Sequence, residues 1–346
     1  MIRKAMGAVF HLMFLALLLA PGLAAAAGDT EAQRQVSQPY NNAPVWRDVR
    51  SEKEQFTTTR GVEAGVLVQT AGEAWRQMHN GPVTQIGGWL LVVVVLAIYL
   101  FFRLHGPIKI SQPPTGRKIE RFTPAERMMH WTLAVSFVTL AISGLVMFFG
   151  KHVILPVIGY TLFGWLASIC KALHNFIGPV FLVSVLVVFV VWAKDNLPKL
   201  YDLEWFAKGG GLRKGVHAPA GRFNAGEKMW FWLGMLILGI LMSVTGLVLD
   251  FPNFEQGRSL MQQVNLIHAI GAMILVPYSL SHIYLGTVGM EGAYSAMRDG
   301  YVDESWAKEH HDHWYEDVKA GRVPAVRSGA GAPAASTQPS QAGGQS

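Results

Sequence analysis

Cysteine and charge are both scarce in this chain of 346 residues. With one cysteine, Cys170, it cannot close an internal disulfide, complete a four-cysteine zinc site or hold an iron-sulfur cluster, and it has no C-x-x-C-H segment for covalent haem attachment. Only 15% of its residues are charged and 51% are hydrophobic, whereas a soluble domain carries about 25% charged residues. An ordinary soluble protein is thereby excluded. No P-loop, G-x-G-x-x-G, G-x-S-x-G or internal repeat is evident, and nothing points to nucleic acid. The net charge of +6 matters less than where the lysines and arginines fall.

The N-terminus reads as a secretory signal over residues 1–27. Arg3 and Lys4 form a positive start, Leu12, Phe14 and Leu15 to Leu19 an apolar middle, and Pro21 precedes the small run Ala24 to Ala27. An uncleaved membrane helix is the alternative, but the apolar run falls short of the roughly 20 residues a span needs. Either way residues 28–84 are exported; they are polar and turn-rich, and Trp46 and Trp75 serve there either as docking anchors or in local packing. At the other end, residues 319–346 become rich in Ala, Pro, Gly, Ser and Gln and are expected to be disordered.

Five stretches lack Asp, Glu, Lys and Arg and approach or reach spanning length: 86–102, 128–149, 172–193, 229–249 and 265–288. Lipid forces each into a helix. Residues 103–127 carry six Lys or Arg and 194–228 carry seven, against two in 150–171 and one in 251–264. The basic loops are therefore cytoplasmic, which agrees with the export signal and leaves the C-terminus inside. The expected fold is an all-α integral membrane protein of a bacterial inner membrane, its mature N-terminus periplasmic.

Of twelve histidines, four lie in apolar stretches: His130, His174, His268 and His282. An ionisable side chain at membrane depth points to function by default, although a single histidine is as well explained by an interhelical hydrogen bond. Four together outweigh that explanation. The second span starts inside, so His130 lies near the cytoplasmic face; the third and fifth start outside, so His174 and His268 lie near the periplasmic face. His282 follows His268 by 14 residues, about 21 Å along a helix and only about 40° around it. Depth thus pairs His174 with His268 and His130 with His282, as two bis-histidine haem irons would require. Zinc would be left with half its four-coordinate shell empty; a transmembrane proton relay is a further alternative, although symmetrical pairs at two depths fit haem better. Gly178, Gly271 and Gly286 lie on the faces of their histidines and leave room for a flat macrocycle, although glycine is common in membrane helices. Pro277 is expected to bend the fifth helix.

Several runs resemble the cytochrome b (gamma) subunit of respiratory, membrane-bound formate dehydrogenase. They are Arg121-Phe122-Thr123 to Met129-His130-Trp131, Leu173-His174-Asn175-Phe176-Ile177-Gly178, Arg222-Phe223-Asn224-Ala225-Gly226-Glu227-Lys228-Met229, Leu266-Ile267-His268-Ala269, His282-Ile283-Tyr284, and Trp306-Ala307-Lys308-Glu309-His310-His311-Asp312-His313-Trp314-Tyr315. The resemblance covers about residues 117–318. It implies a four-helix di-haem cytochrome b domain, preceded here by an additional transmembrane helix at 85–103. It also implies two haem b groups on the pairs already named, and a quinone site at Asn224, Gly226, Glu227 and His282. The partners it implies are a periplasmic iron-sulfur (beta) subunit, a catalytic (alpha) subunit that oxidises formate, quinone and membrane lipid, with a higher oligomer of the complex allowed. Without the resemblance, Asn224 and Glu227 read as a helix N-cap and its N3 partner, and the two readings are compatible.

Other residues admit plainer roles. Arg121, Arg127 and Lys171 either neutralise haem propionates or anchor the membrane edge. His310, His311 and His313 are expected to contact a partner subunit or solvent rather than a metal, and His105, His152 and His217 lie in loops. A cytochrome b serving a nickel-iron hydrogenase or thiosulfate reductase is the nearest alternative. A proton-coupled transporter and a purely structural membrane anchor are alternatives of other classes.

Overall fold

In lipid, backbone groups have no water to bond and must bond one another, so the apolar runs form long helices. The computed structural model describes residues 71–329 apart from 211–217 and 255, together with 46, 49–51, 55–56 and 66–68. The expected signal peptide, most of the exported segment before residue 71, His217 and residues 330–346 lie outside the described residues.

A two-stranded ribbon, β1 (Gln55–Phe56) with β2 (Val66–Val68), comes first. It is followed by α1 (Gly72–His105), β3 (Lys118–Glu120), α2 (Pro124–Val153), α3 (Leu155–Trp192), the short α4 (Leu200–Ala207), α5 (Ala225–Asp250) and α6 (Arg258–Gly289). Then come α7 (Ala293–Arg298), β4 (Tyr301–Asp303), α8 (Glu304–His310) and α9 (Asp312–Lys319). Helices α1, α2, α3, α5 and α6 are long and apolar enough to cross a membrane. Side chains such as Ile142, Phe176 and Val190 stand exposed along them, as surfaces that face lipid must. The chain is an all-α integral membrane protein.

Two helices extend more than ten residues beyond their charge-free cores. Helix α1 begins at Gly72 and passes through a π-turn, His79–Val83, around Pro82. Helix α3 begins at Leu155 rather than 172, because Lys171 does not end it: the ammonium donates to Asn175 Oδ1 one turn on, at 2.8 Å. A break at Gly159, with φ 77 and ψ 172, uses backbone conformations open essentially to glycine alone. Helix α6 continues through Pro277.

The chain divides into two compact units. The first comprises residues up to Ala97, Val135–Val183 and Leu238–Tyr278. Close helix approach there depends on missing side chains: a Cβ at Gly87 of α1 would meet Met273 Cγ at 2.5 Å, and one at Gly271 of α6 would meet Met242 Sδ at 2.8 Å. Gly271 thus serves helix packing.

The second unit comprises Ile98–Ala134, Ser184–Ile237 and the residues from Ser279 onward. Strands β3 and β4 pair antiparallel, Lys118 opposite Asp303 and Glu120 opposite Tyr301. A buried ionic network ties its segments together. Arg121 bonds Glu227 at 2.8 Å, Arg222 and Arg327 both bond Glu126 at 2.7 and 2.8 Å, and the Trp192 indole donates to Glu126 at 3.1 Å. Residues 319–329, expected to belong to a disordered tail, are held here: Glu120 N donates to the Ala325 carbonyl at 2.8 Å, and Ser328 N to the Glu120 carboxylate at 2.7 Å. Composition does not register such specific backbone and ion-pair partners.

Candidate functional site

In the first unit, α3 brings His174 and α6 brings His268 together, with ring centroids 6.1 Å and planes 74° apart. In the second unit, α2 and α6 do the same for His130 and His282, at 6.4 Å. These are the pairs that depth arithmetic selects. Two metal–imidazole bonds of about 2.0–2.1 Å, with about 1.1 Å from each nitrogen to its ring centre, would put the centroids roughly 6.3 Å apart where the two nitrogens lie in line through the metal. Both pairs therefore have the separation of imidazoles that share one metal ion.

The surroundings of the first pair fit a bulky group. A cavity of about 520 Å³ opens on His174 and His268, within the range of about 300–1,000 Å³ usual for ligand sites. Gly144 and Gly246 crowd the rings: a Cβ at Gly144 would lie 3.2 Å from His174 Cε1, and one at Gly246 would lie 3.4 Å from His268 Cε1. Gly178, expected on the same face, lines the cavity and has nothing within 4 Å of a Cβ. Lys171 and Asn175, bonded to each other, also line it.

The nitrogens turned away from the cavity have specific partners. Ser143 Oγ lies 2.9 Å from His174 Nδ1, and Thr245 Oγ1 lies 2.8 Å from His268 Nδ1. Sequence reasoning passed over both hydroxyls, because Ser and Thr in membrane helices commonly just bond their own i−4 carbonyl. A signal was nevertheless present. Ile142-Ser143-Gly144-Leu145-Val146 in α2 recurs as Val244-Thr245-Gly246-Leu247-Val248 in α5, each supplying a hydroxyl and a glycine to one histidine. His79, Asn80 and Thr84 were missed too; the N-terminal extension of α1 carries them to the cavity wall.

Around the second pair, Trp230 lies flat on His282, with centroids 4.8 Å apart and planes 8° apart. It opens a π-helical stretch, Trp230–Leu238, of the kind that often marks functional positions. His130 Nδ1 is buried with no hydrogen-bond partner among the described residues. Asn224 and Glu227 form the reciprocal cap at the start of α5: Asn224 Oδ1 accepts from Glu227 N, and Glu227 Oε2 accepts from Asn224 N, both at 2.9 Å. A Cβ at Gly226 would meet Trp205 Cη2 at 2.9 Å.

Arg121 is buried, donates to Glu227 and to the Arg222 carbonyl, and lies over the Trp306 ring. Burial away from water pushes its pKa down despite the Glu227 carboxylate. Its charge is thus engaged within the chain rather than left for a propionate. Arg127 donates to the Arg298 carbonyl. His311, expected to meet a partner or solvent, is instead fully buried; its Nδ1–H donates to the Gly221 carbonyl at 2.7 Å. No cluster of three His, Cys, Asp or Glu able to hold a metal occurs among the described residues.

Two close histidine pairs in long apolar helices are what a membrane cytochrome of the b type would use to hold haem. The profile of the prokaryotic cytochrome b561 family matches residues 121–300, more than half of the chain, and the chain belongs to that family, which implies haem b binding. It is 32% identical over 213 residues to the formate dehydrogenase cytochrome b556(fdo) subunit of Escherichia coli, covering 58% of this chain and 93% of that one. Identity to the nitrate-inducible cytochrome b556(Fdn) subunit of the same organism is 31%, covering 59% and 93%. Identity to the cytochrome b556 subunit of formate dehydrogenase in Haemophilus influenzae is 30%, covering 60% and 87%. The resemblance read from the motifs is borne out. Helix α1 precedes the family match.

Proposed function

We propose that this chain is the haem b subunit of a formate:quinone oxidoreductase complex, taking electrons from a periplasmic iron-sulfur subunit and delivering them to quinone near the cytoplasmic side. Formate itself would be oxidised in a separate catalytic subunit. The observation that carries this reading is the two histidine pairs, each with the spacing of imidazoles on a shared metal, in a chain related to formate dehydrogenase cytochrome b556 subunits. His174 and His268 would hold one haem and His130 and His282 the other. When bound, the haems supply one-electron chemistry and quinone the final acceptor.

The chain's own contribution is orientation, exclusion of water and placement of polar groups. Apolar helices keep the imidazoles in a low-dielectric surround. Asn224, Gly226, Glu227 and His282 would border the quinone, with the Glu227 carboxylate fixed by Arg121 and by the Asn224 backbone N–H. Drawing electrons from outside and protons from inside stores about 2.3 kcal/mol per charge for each 100 mV.

The test is the haem-to-chain ratio and reduced-minus-oxidised spectrum of the purified complex. Two noncovalent b haems per chain, reduced by formate, are expected. His174→Ala or His268→Ala should remove one of them and His130→Ala or His282→Ala the other. Loss that ignores this pairing, or no haem in the assembled complex, overturns the reading; reduction by dihydrogen but not formate, or reoxidation of the reduced haems by thiosulfate, would reassign the partner.

A further inference from the structure

The hydroxyls behind the first histidine pair have only one proton each, and both are already committed. Ser143 Oγ lies 2.7 Å from the Thr139 carbonyl, and Thr245 Oγ1 lies 2.7 Å from the Leu241 carbonyl. A carbonyl oxygen can only accept, so each hydroxyl proton points at its own helix and each hydroxyl oxygen offers a lone pair to the imidazole. The Leu140 and Met242 carbonyls are further acceptors beside His174 and His268. The ring nitrogen facing these oxygens must then be Nδ1–H. The neutral ring has one proton, so its Nε2 carries the lone pair.

We propose that Ser143 and Thr245 are positioning residues for the His174/His268 pair. They lock both rings in the Nδ1–H tautomer with Nε2 free for iron, and they lower the reduction potential of haem held there relative to haem held by His130 and His282. This rests on reading both pairs as haem ligands. A ligand imidazole that donates its second N–H to oxygen is a stronger electron donor and favours ferric iron. His174 and His268 both have that contact, whereas His130 Nδ1 has no partner among the described residues and His282 is stacked on an indole. The recurring hydroxyl-glycine pair in α2 and α5 builds the same device twice: the oxygen anchors one side of the ring, and the glycine lets the ring sit against the helix. The lower potential on the side where electrons enter makes their passage to the other haem downhill.

The test uses the assembled complex with Ser143→Ala, Thr245→Val, Ser143→Thr and Thr245→Ser. It reads haem content, the low-spin electron paramagnetic resonance signal of each haem, and each midpoint potential. Removing one hydroxyl is expected to shift the ferric-to-ferrous equilibrium of the first-pair haem about tenfold toward ferrous, which is about 59 mV upward for a one-electron couple. Its resonance signal should move while the other haem is unchanged, and the hydroxyl-keeping variants should behave as wild type. Thr245→Val preserves shape and decides the matter if Ser143→Ala does not assemble. Unmoved signals and potentials, or equal shifts in both haems, overturn the proposal while a two-haem wild type leaves the haem reading standing. A wild-type complex without haem overturns both.

Discussion

His311 illustrates how far burial alone changes a side chain. Lying between Trp306 and Trp314, with ring centroids 5.0 and 6.4 Å away, it has its pKa pushed from 6.5 down to about 3 by burial and then by the Arg121 charge. The folded chain keeps it neutral. Between about pH 6.5 and 3 the unfolded chain binds this proton and the folded chain does not, so stability is full above 6.5 and falls as pH drops through that window. The slope from this residue is on the order of 1 kcal/mol per pH unit. Thermal unfolding from pH 7.5 to 5 should show it, and His311→Gln should flatten it; an unchanged slope would assign the pH sensitivity elsewhere. Gly144 makes a second point at this scale. Gly144→Ala presses on His174 at 3.2 Å and Gly246→Ala on His268 at 3.4 Å, so both should lower first-pair haem content, the former more; retention of full haem in Gly144→Ala would show that the ring has room to move. The four histidines were legible because imidazole in an apolar run is conspicuous. Ser143 and Thr245 were not, since a hydroxyl in a membrane helix has an ordinary use and a five-residue recurrence is easily missed.

Among elements, α4 shows how a short helix is held. Its eight residues are too few to be stable alone, and Asp202 joins it to α5 by accepting from the buried Lys228 at 2.8 and 2.9 Å while also accepting from Lys199 N at 2.6 Å. Asp202→Ala strands a buried ammonium and should cost about 3–5 kcal/mol. Asp202→Leu with Lys228→Met should recover most of that loss, as measured by a double-mutant cycle on denaturant unfolding; a double variant as weak as the single one would show that the pair is not what α4 depends on. Element boundaries were the least legible feature. Counting charges started the third span after Lys171, yet a lysine can bond along its own helix, and α3 begins at Leu155. Composition likewise assigned residues 319–329 to disorder, because it does not register that Arg327 has Glu126 as a partner 201 positions away.

For the whole molecule, orientation decides whether the redox chemistry moves charge across the membrane. Thirteen Lys or Arg fall in residues 103–127 and 194–228, and three in residues 150–171 and 251–264. Side-chain pairing does not erase this bias: Arg117 pairs with Glu304 and Arg222 with Asp195, but the retention of loops on the cytoplasmic side follows their lysines and arginines, with acidic residues contributing little. Five candidate spans among the described residues would put the segments before the first and after the last on opposite sides. A periplasm-dependent phosphatase fused after residue 256 should be active and the same enzyme fused after residue 212 or 329 inactive, with a cytoplasm-dependent reporter giving the reverse pattern. If the fusion at 212 were active instead, His174 and His268 would lie toward the cytoplasm and His130 and His282 toward the periplasm, so electrons entering at the first pair and protons taken beside the second would move charge in the opposite direction, and a periplasmic iron-sulfur partner would be overturned.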